Sequence, residues 1–273
     1  MNETRRAFLR AGSATAAGGL FLRSSLAQTP PAPPEAIPEA FPSQPPELVQ
    51  EMVGVSHGKV ARVKELLSRQ PSLAKAAWDW GFGDWETALG AASHVGNREI
   101  AELLLAHGAR PDIFTAAMLG WLEVVKQWVA ASPGIQRLKG PHSIPLLAHA
   151  EAGGDRAKPV REYLASLGDA GEPPVDRPLS AQELDALVGR YAFGRGPRDH
   201  FEVAPRQGGG MPGQLTVRRQ EGTPRNLFHL GDRVFQPAGA EAVRLRFSSE
   251  SPARTLTLLD GGRSLLAARP GGP

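Results

Sequence analysis

The stretch Thr87-Ala88-Leu89-Gly90-Ala91-Ala92-Ser93-His94-Val95-Gly96 decides the fold expected for the first half of the chain. Its alanines are small enough to let two paired helices approach closely. Its final glycine suits a helix end, because glycine adopts the left-handed conformation that turns the chain. The stretch therefore predicts a short helix that packs closely against a second one.

Similar helical patterns occur on both sides of this stretch. Apolar residues with helical spacing lie within residues 60 to 67, 100 to 104 and 124 to 129, as in amphipathic helices. A glycine stands near each unit, and the separations between these glycines scatter around a repeat of about 33 residues. The pattern predicts short helical units that stack in sequence order.

The stretch resembles the ankyrin signature, in which Thr-Pro-Leu-His is followed by two alanines and a glycine. Residues 100 to 112 are similar to the second ankyrin helix and its closing turn, and residues 114 to 120 and 144 to 154 are weaker copies. The resemblance implies an α-helical ankyrin solenoid of about four repeats over residues 47 to 168. Two positions depart from the signature, because Ala88 replaces the usual proline and Gly90 the usual histidine.

A different pattern follows the glycine- and proline-rich break at residues 168 to 174. Apolar and polar residues alternate in several short runs, such as residues 201 to 203 and 256 to 258, which is typical of strands with one buried face. Ser180 and Glu183 form a capping box that predicts a short helix before the first strand. We expect a small antiparallel β-barrel or sheet over residues 179 to 269, after a linker at residues 169 to 178.

The order of a short helix, hairpins and Val243-Arg244-Leu245-Arg246-Phe247 resembles the lipocalin-like accessory domain that follows some serine β-lactamase-like hydrolases. The resemblance implies a non-catalytic module. A barrel of this size can also enclose one small molecule, so small-ligand binding is an alternative. The expected fold class is multidomain α + β, with an ankyrin solenoid followed by this β domain.

The N-terminus has the features of a twin-arginine signal peptide. Arg5 and Arg6 precede a mildly apolar stretch, and Ser25-Leu26-Ala27 offers a cleavage site. The apolar stretch is shorter than the roughly 20 residues of a membrane span. We therefore predict export to the periplasm or beyond, with no stable membrane insertion after cleavage. Residues 28 to 46 contain eight prolines and predict an extended linker.

Charge and cysteine content exclude several classes of function. Loss of residues 1 to 27 lowers the basic residues from 31 to 27 and the acidic residues from 28 to 27. Without a basic excess, nucleic acid is not expected as a partner.

The chain has no cysteine, which excludes disulfides, thiolate catalysis and cysteine zinc sites. Ser72 and Lys75 match a Ser-x-x-Lys pattern, but no partner motif follows, so we interpret them as part of a turn.

Histidines are the most notable polar residues of the helical region. His94, His142 and His149 occupy corresponding regions of neighbouring units, and Asp84 and Glu86 lie nearby in sequence. A zinc site needs three or four converging ligands, and no His-Glu-x-x-His pattern is present. The favoured interpretation is a structural role in linking loops, with no metal, cofactor or catalytic residue. The alternative is a hydrolase or metal-dependent enzyme that uses these five residues in one pocket.

Tryptophans are concentrated in the helical region, and several lie in the predicted finger between units. Aromatic side chains on a loop are candidate binding hot spots, but they also fill irregular cores. We predict a non-enzymatic adaptor whose concave ankyrin face binds a protein or peptide partner. The residues expected to contact this partner are Trp80, Trp85, Glu86, His94, Met118, Trp121, His142 and His149.

Overall fold

The computed structural model describes residues 39–207, 213–220 and 222–271. The predicted signal peptide and most of the predicted proline-rich linker lie outside these residues, so both stay predictions. Ala40–Pro273 forms one compact unit. No helix within the described ranges has the length and apolar character needed to cross a membrane.

The described residues contain nine α-helices, eight of them in the N-terminal part of the compact unit. Their bounds are α1 (Pro46–Val55), α2 (Val60–Arg69), α3 (Ala88–His94), α4 (Arg98–Ala106), α5 (Ile113–Leu119), α6 (Leu122–Ala131), α7 (Leu146–Ala152), α8 (Lys158–Leu167) and α9 (Ala181–Leu187). Short 3₁₀ turns interrupt this region at Pro71–Lys75, Ile135–Arg137, Pro141–Ser143 and Gly154–Ala157.

Local sequence explains where these helices begin and end. The Thr87 side chain accepts a hydrogen bond from the backbone of Gly90, and Asn97 and Asp112 cap α4 and α5 in the same way. Gly96 has a φ of 73°, and a Cβ at this position would overlap the backbone oxygen of Ala152. Glycine is therefore required here both for the turn and for the close approach of α7.

The prediction of an ankyrin solenoid of about four repeats is wrong. In a solenoid each unit contacts only its neighbours, whereas α3 packs against both α5 and α7. Within the described ranges, a single finger hairpin is present, formed by β1 (Ala77–Asp79) and β2 (Trp85–Thr87). The 3₁₀ turns and unequal connections prevent a regular repeat, so the eight helices form an irregular cluster.

The C-terminal part is a closed antiparallel β-barrel of eight strands, so the chain is an α + β protein. The predicted domain boundaries at 47 to 168 and 179 to 269 stay predictions. The strands are β3 (Gly189–Ala192), β4 (His200–Pro205), β5 (Leu215–Arg219), β6 (Arg225–Gly231), β7 (Val234–Pro237), β8 (Arg244–Phe247), β9 (Thr255–Asp260) and β10 (Arg263–Ala268). Their order around the barrel is β10-β3-β4-β5-β6-β7-β8-β9.

Apolar side chains fill the interior of the barrel and pack against its wall from inside. Phe235, Leu245 and Leu256 are buried, and Tyr191 donates a hydrogen bond to the backbone oxygen of Leu187 in α9. The capping box predicted for this helix is present. A filled interior leaves the outer wall and its loops as the surfaces available for other contacts.

Replacing Leu245, which is fully buried, by alanine is expected to lower the free energy of unfolding by about 2–5 kcal/mol, because it leaves a cavity. Leu266→Ala, at a side chain 61% exposed, is the matched control and should change it by less than about 0.5 kcal/mol. Urea unfolding measures both. Equal losses for the two variants would contradict the described barrel core.

Candidate functional site

Three imidazoles and one carboxylate converge among the helices. The Nε2 atom of His94 lies 3.0 Å from Oε1 of Glu86, and Nε2 of His142 lies 3.5 Å from the same oxygen. The Nε2 atom of His57 lies 3.6 Å from the second oxygen, Oε2. One ligand atom from each of these residues lies within 4.8 Å of the others, so we call the four residues the histidine–glutamate cluster.

Separate elements of the fold supply the members of the cluster. His57 follows α1, Glu86 lies in the centre of β2, and His94 is the last residue of α3. His142 lies in the 3₁₀ turn before α7, with a φ of 61° that is uncommon for a residue with a side chain. The cluster therefore exists only when these elements are packed together.

The outward-facing atoms of the cluster are held by hydrogen bonds. The Nδ1 atom of His57 lies 3.0 Å from the Gly54 oxygen, and Nδ1 of His142 lies 2.7 Å from Oδ2 of Asp84. The indole nitrogen of Trp80 donates to Oε2 of Glu86 at 2.7 Å. Metal-binding histidines typically donate their second ring N–H in this way, which fixes the tautomer and turns Nε2 toward the ion.

Two inward-facing atoms have no hydrogen-bond partner among the described residues. Oε1 of Glu86 and Nε2 of His94 are both buried and lie at the ion-pair distance of 3.0 Å, but neither meets the geometry of a hydrogen bond with a described residue. Buried polar atoms are almost always hydrogen-bonded, so such a pair requires an explanation. Two ligand atoms that face a shared cation would have this arrangement.

A second carboxylate, Asp84, supports the cluster from outside. It is 3% exposed and accepts hydrogen bonds from both the backbone nitrogen and the ring of His142. Burial alone would raise the pKa of Asp84, but the hydrogen bonds from His142 and the charge of Arg225 lower it. The Asp84 carboxylate is therefore an anion that holds the His142 ring in place.

Charges within the cluster shift the pKa values of its members. Burial alone would raise the pKa of Glu86, but the His142 and His94 side chains beside it lower the value to about 2. Burial opposes the charged form of His142, but Asp84 and Glu86 raise its pKa to about 9. Without a metal, the cluster is thus a network in which a His142 cation faces two carboxylates.

His149 lies behind the cluster rather than in it. Its ring centre is 6.4 Å from that of His94, and it packs against Phe114. Burial first, and then repulsion from His94, lowers the pKa of His149 to about 3, so the ring is neutral. Neither ring nitrogen has a hydrogen-bond partner among the described residues.

The predicted contact residues do not form one surface. Glu86, His94 and His142 belong to the cluster and Trp80 binds Glu86, whereas Met118 is fully buried in the helical core. The remaining predicted residues are Trp85, 64% exposed, Trp121, 37% exposed, and His149, which is fully buried.

His57 is not among the site residues predicted from the sequence. The sequence feature that could have indicated it is its position directly before Gly58, near a helix end. His94 has a similar position, two residues before Gly96. No motif links these histidines, because their separation along the chain follows no known ligand spacing.

A cleft of about 460 Å³ borders the cluster on the side of the barrel. His142 and Trp80 belong to both the cleft wall and the surroundings of the cluster. The other lining residues are Ser143, Ile144, Pro145, Pro174, Arg206, Thr223, Pro224, Arg225, Asn226, Phe228 and Ala238. The His57 and His142 side chains are 32% and 29% exposed, so a small molecule can approach the cluster.

The spacing of the cluster suits a transition-metal ion. Zinc–ligand bonds of about 2.0–2.2 Å in a tetrahedral site place ligand atoms about 3.3–3.6 Å apart. The separations of His94 and His142 from Oε1 of Glu86, 3.0 and 3.5 Å, lie close to this range, and the four ligand atoms lie within 4.8 Å of one another. The donor set of three imidazole nitrogens and one carboxylate oxygen suits zinc, copper, iron or nickel better than calcium or magnesium.

No protein-family model matches the chain, and no curated protein matches it either.

Replacing His149 by leucine is expected to raise the free energy of unfolding by about 1 kcal/mol, because it removes buried polar atoms without partners. Chemical denaturation at neutral pH measures the change. The exposed His107→Leu variant is the control and should stay within about 0.5 kcal/mol of the parent chain. A clear loss of stability in His149→Leu would instead show that this ring makes hydrogen bonds through buried water.

Proposed function

We propose that the chain binds one divalent transition-metal ion in the histidine–glutamate cluster. The observation that carries this proposal is the convergence of four ligand atoms, of which two are buried without a hydrogen-bond partner. The outer atoms of His57, His142 and Glu86 are each held by a hydrogen bond, as metal ligands typically are.

A metal-free ion-pair network is the competing explanation for the cluster. It accounts for the contact between His142 and the two carboxylates, since a charged imidazole there balances their charge. It also pairs His94 with Glu86 across 3.0 Å, but it leaves these two buried atoms without an aligned hydrogen bond. A bound cation satisfies both atoms at once, so the metal site is the better explanation.

The position of the cluster indicates how the metal would be used. Structural metal sites are closed, whereas catalytic sites keep a position open to substrate or water. The four protein ligands fill a tetrahedral site, so a molecule in the cleft would bind the ion as a fifth ligand, beside the exposed edge of His142 that lines the cleft. We therefore favour a metal centre that acts on or binds a small molecule in the cleft, in which the ion serves as a Lewis acid.

Purified protein is expected to bind Zn²⁺ or Co²⁺ at a ratio of about one per chain, since the four ligands describe one site. Glu86→Gln and His94→Ala should weaken binding by more than the roughly 10–100-fold that loss of an outer partner costs. Isothermal titration and elemental analysis measure both effects. His107→Ala, at an exposed histidine outside the cluster, is the control. No stoichiometric metal in the parent chain would refute the proposed site.

A protein-binding role is the second candidate, and one observation favours it. Trp85 lies on the β1–β2 finger with its side chain 64% exposed, which is unusual for so large an apolar group. Exposed tryptophans at interfaces often contribute much of the binding free energy. This proposal uses the finger alone and needs no concave repeat face.

If the finger binds a partner, Trp85→Ala should weaken that interaction by about 2 kcal/mol or more. Affinity capture from the native compartment, followed by measurement of the dissociation constant for each captured protein, tests this. Val124→Ala, at a side chain 43% exposed on α6, is the control for a general loss of apolar surface. A partner that binds both variants as tightly as the parent chain would count against the finger as its binding site.

A further inference from the structure

A buried ion pair connects the barrel to the histidine–glutamate cluster. Arg225, the first residue of β6, is 6% exposed and places Nη2 2.5 Å from Oδ2 of Asp84. The same guanidinium donates to the backbone oxygen of Ala238, after β7. Asp84 in turn accepts two hydrogen bonds from His142. One continuous chain of polar contacts therefore runs from the barrel wall to His142, a proposed metal ligand.

The loop that follows β7 makes a second connection to the same turn. Ser143, next to His142, donates its hydroxyl to Oε1 of Glu241 at 2.7 Å and accepts a hydrogen bond from the Gly239 backbone at 2.7 Å. Gly239 lies so close to Asp84 that a Cβ there would overlap the carboxylate. The barrel therefore packs directly against the turn that carries His142.

This turn needs support from its surroundings. His142 and Ser143 have φ values of 61° and 60°, in the left-handed region that residues with side chains rarely adopt. Such conformations persist where neighbouring structure over-determines them, and they are frequent at functional sites. Besides backbone hydrogen bonds within residues 140 to 144, Asp84 and the barrel loop supply hydrogen bonds that hold the turn in this conformation.

We infer that Arg225 is a positioning residue for the metal ligand His142, acting through Asp84, and that metal binding and docking of the barrel onto the helices stabilise each other. The inference rests on the proposed metal function. Coupling between two equilibria is reciprocal, so a barrel contact that favours the metal site must itself be strengthened when metal binds. The barrel is then part of the metal centre rather than a separate module.

The alternative is that the Asp84–Arg225 pair only stabilises the fold. Removing one partner of a buried ion pair is destabilising in either case, because the other charge is left unpaired. Stability alone therefore does not distinguish the two roles. Metal affinity and the geometry of the bound metal do, because a purely structural pair leaves both unchanged in the folded protein.

The test compares Zn²⁺ affinity in the full chain and in Arg225→Met, Arg225→Lys and Arg246→Met, measured by competition with a chromogenic chelator. Arg246, exposed on the neighbouring face of the barrel, is the matched control. We expect Arg225→Met to bind Zn²⁺ about 10-fold more weakly, at the lower end of the roughly 10–100-fold cost of losing a ligand's direct outer partner, because Arg225 acts through Asp84. Lysine should restore part of the affinity, and Arg246→Met should match the parent chain.

Bound Co²⁺ provides a readout of site geometry in the same variants. A changed visible absorption band in Arg225→Met, with the parent band in Arg246→Met, is the expected result. Parent-like affinity and spectrum in Arg225→Met would overturn the inference while leaving the metal site intact. Failure of the parent chain to bind Zn²⁺ would instead refute the proposed function, and the inference with it.

Amide hydrogen exchange of the parent chain covers the case in which Arg225→Met does not fold. Reciprocal coupling predicts that Zn²⁺ slows exchange in residues 234 to 241 of the barrel as well as around His142. Slower exchange confined to the helical region would overturn the inference. Exchange around β9, on another part of the barrel wall, is the internal reference and should not change.

Discussion

Two carboxylates on one short hairpin, Asp84 and Glu86, constrain the arrangement of everything around them. Both are almost fully buried, and a buried carboxylate is costly unless opposite charges or hydrogen bonds surround it. The chain meets this requirement with imidazoles from three separate segments and with Arg225 from the barrel. The hairpin is thus the place where the helices and the barrel meet.

Because Asp84 and Glu86 are buried, both the helical part and the barrel contribute to the surroundings of the cluster. The N-terminal part supplies the ligand atoms from helix ends, the β1–β2 hairpin and a turn, while the barrel supplies contacts that hold the turn of His142. The accessible side of the cluster opens into the cleft between them. A chain without cysteine has no disulfides, so a metal bound by His57, His142 and the segment with Glu86 and His94 would also cross-link the fold.

Local patterns predicted much of the secondary structure. The alternating runs around residues 201 to 203 and 256 to 258 lie in β4 and β9, and the capping box at Ser180 opens α9. The prediction of an ankyrin solenoid was wrong, because a motif describes how one helix begins and ends but not which distant helices that helix contacts. The contacts of α3 with both α5 and α7 depend on packing that the motif does not encode.

By itself, the sequence determined the period of each element, the turns that end the helices and the polar residues available for a site, among them Glu86, His94 and His142. Only the tertiary structure decided that His57 joins them, that Met118 and His149 are buried away from any surface, and that Arg225 reaches Asp84. The reason is physical: distances between side chains from remote segments are set by how whole elements pack, and no local pattern of residues specifies them.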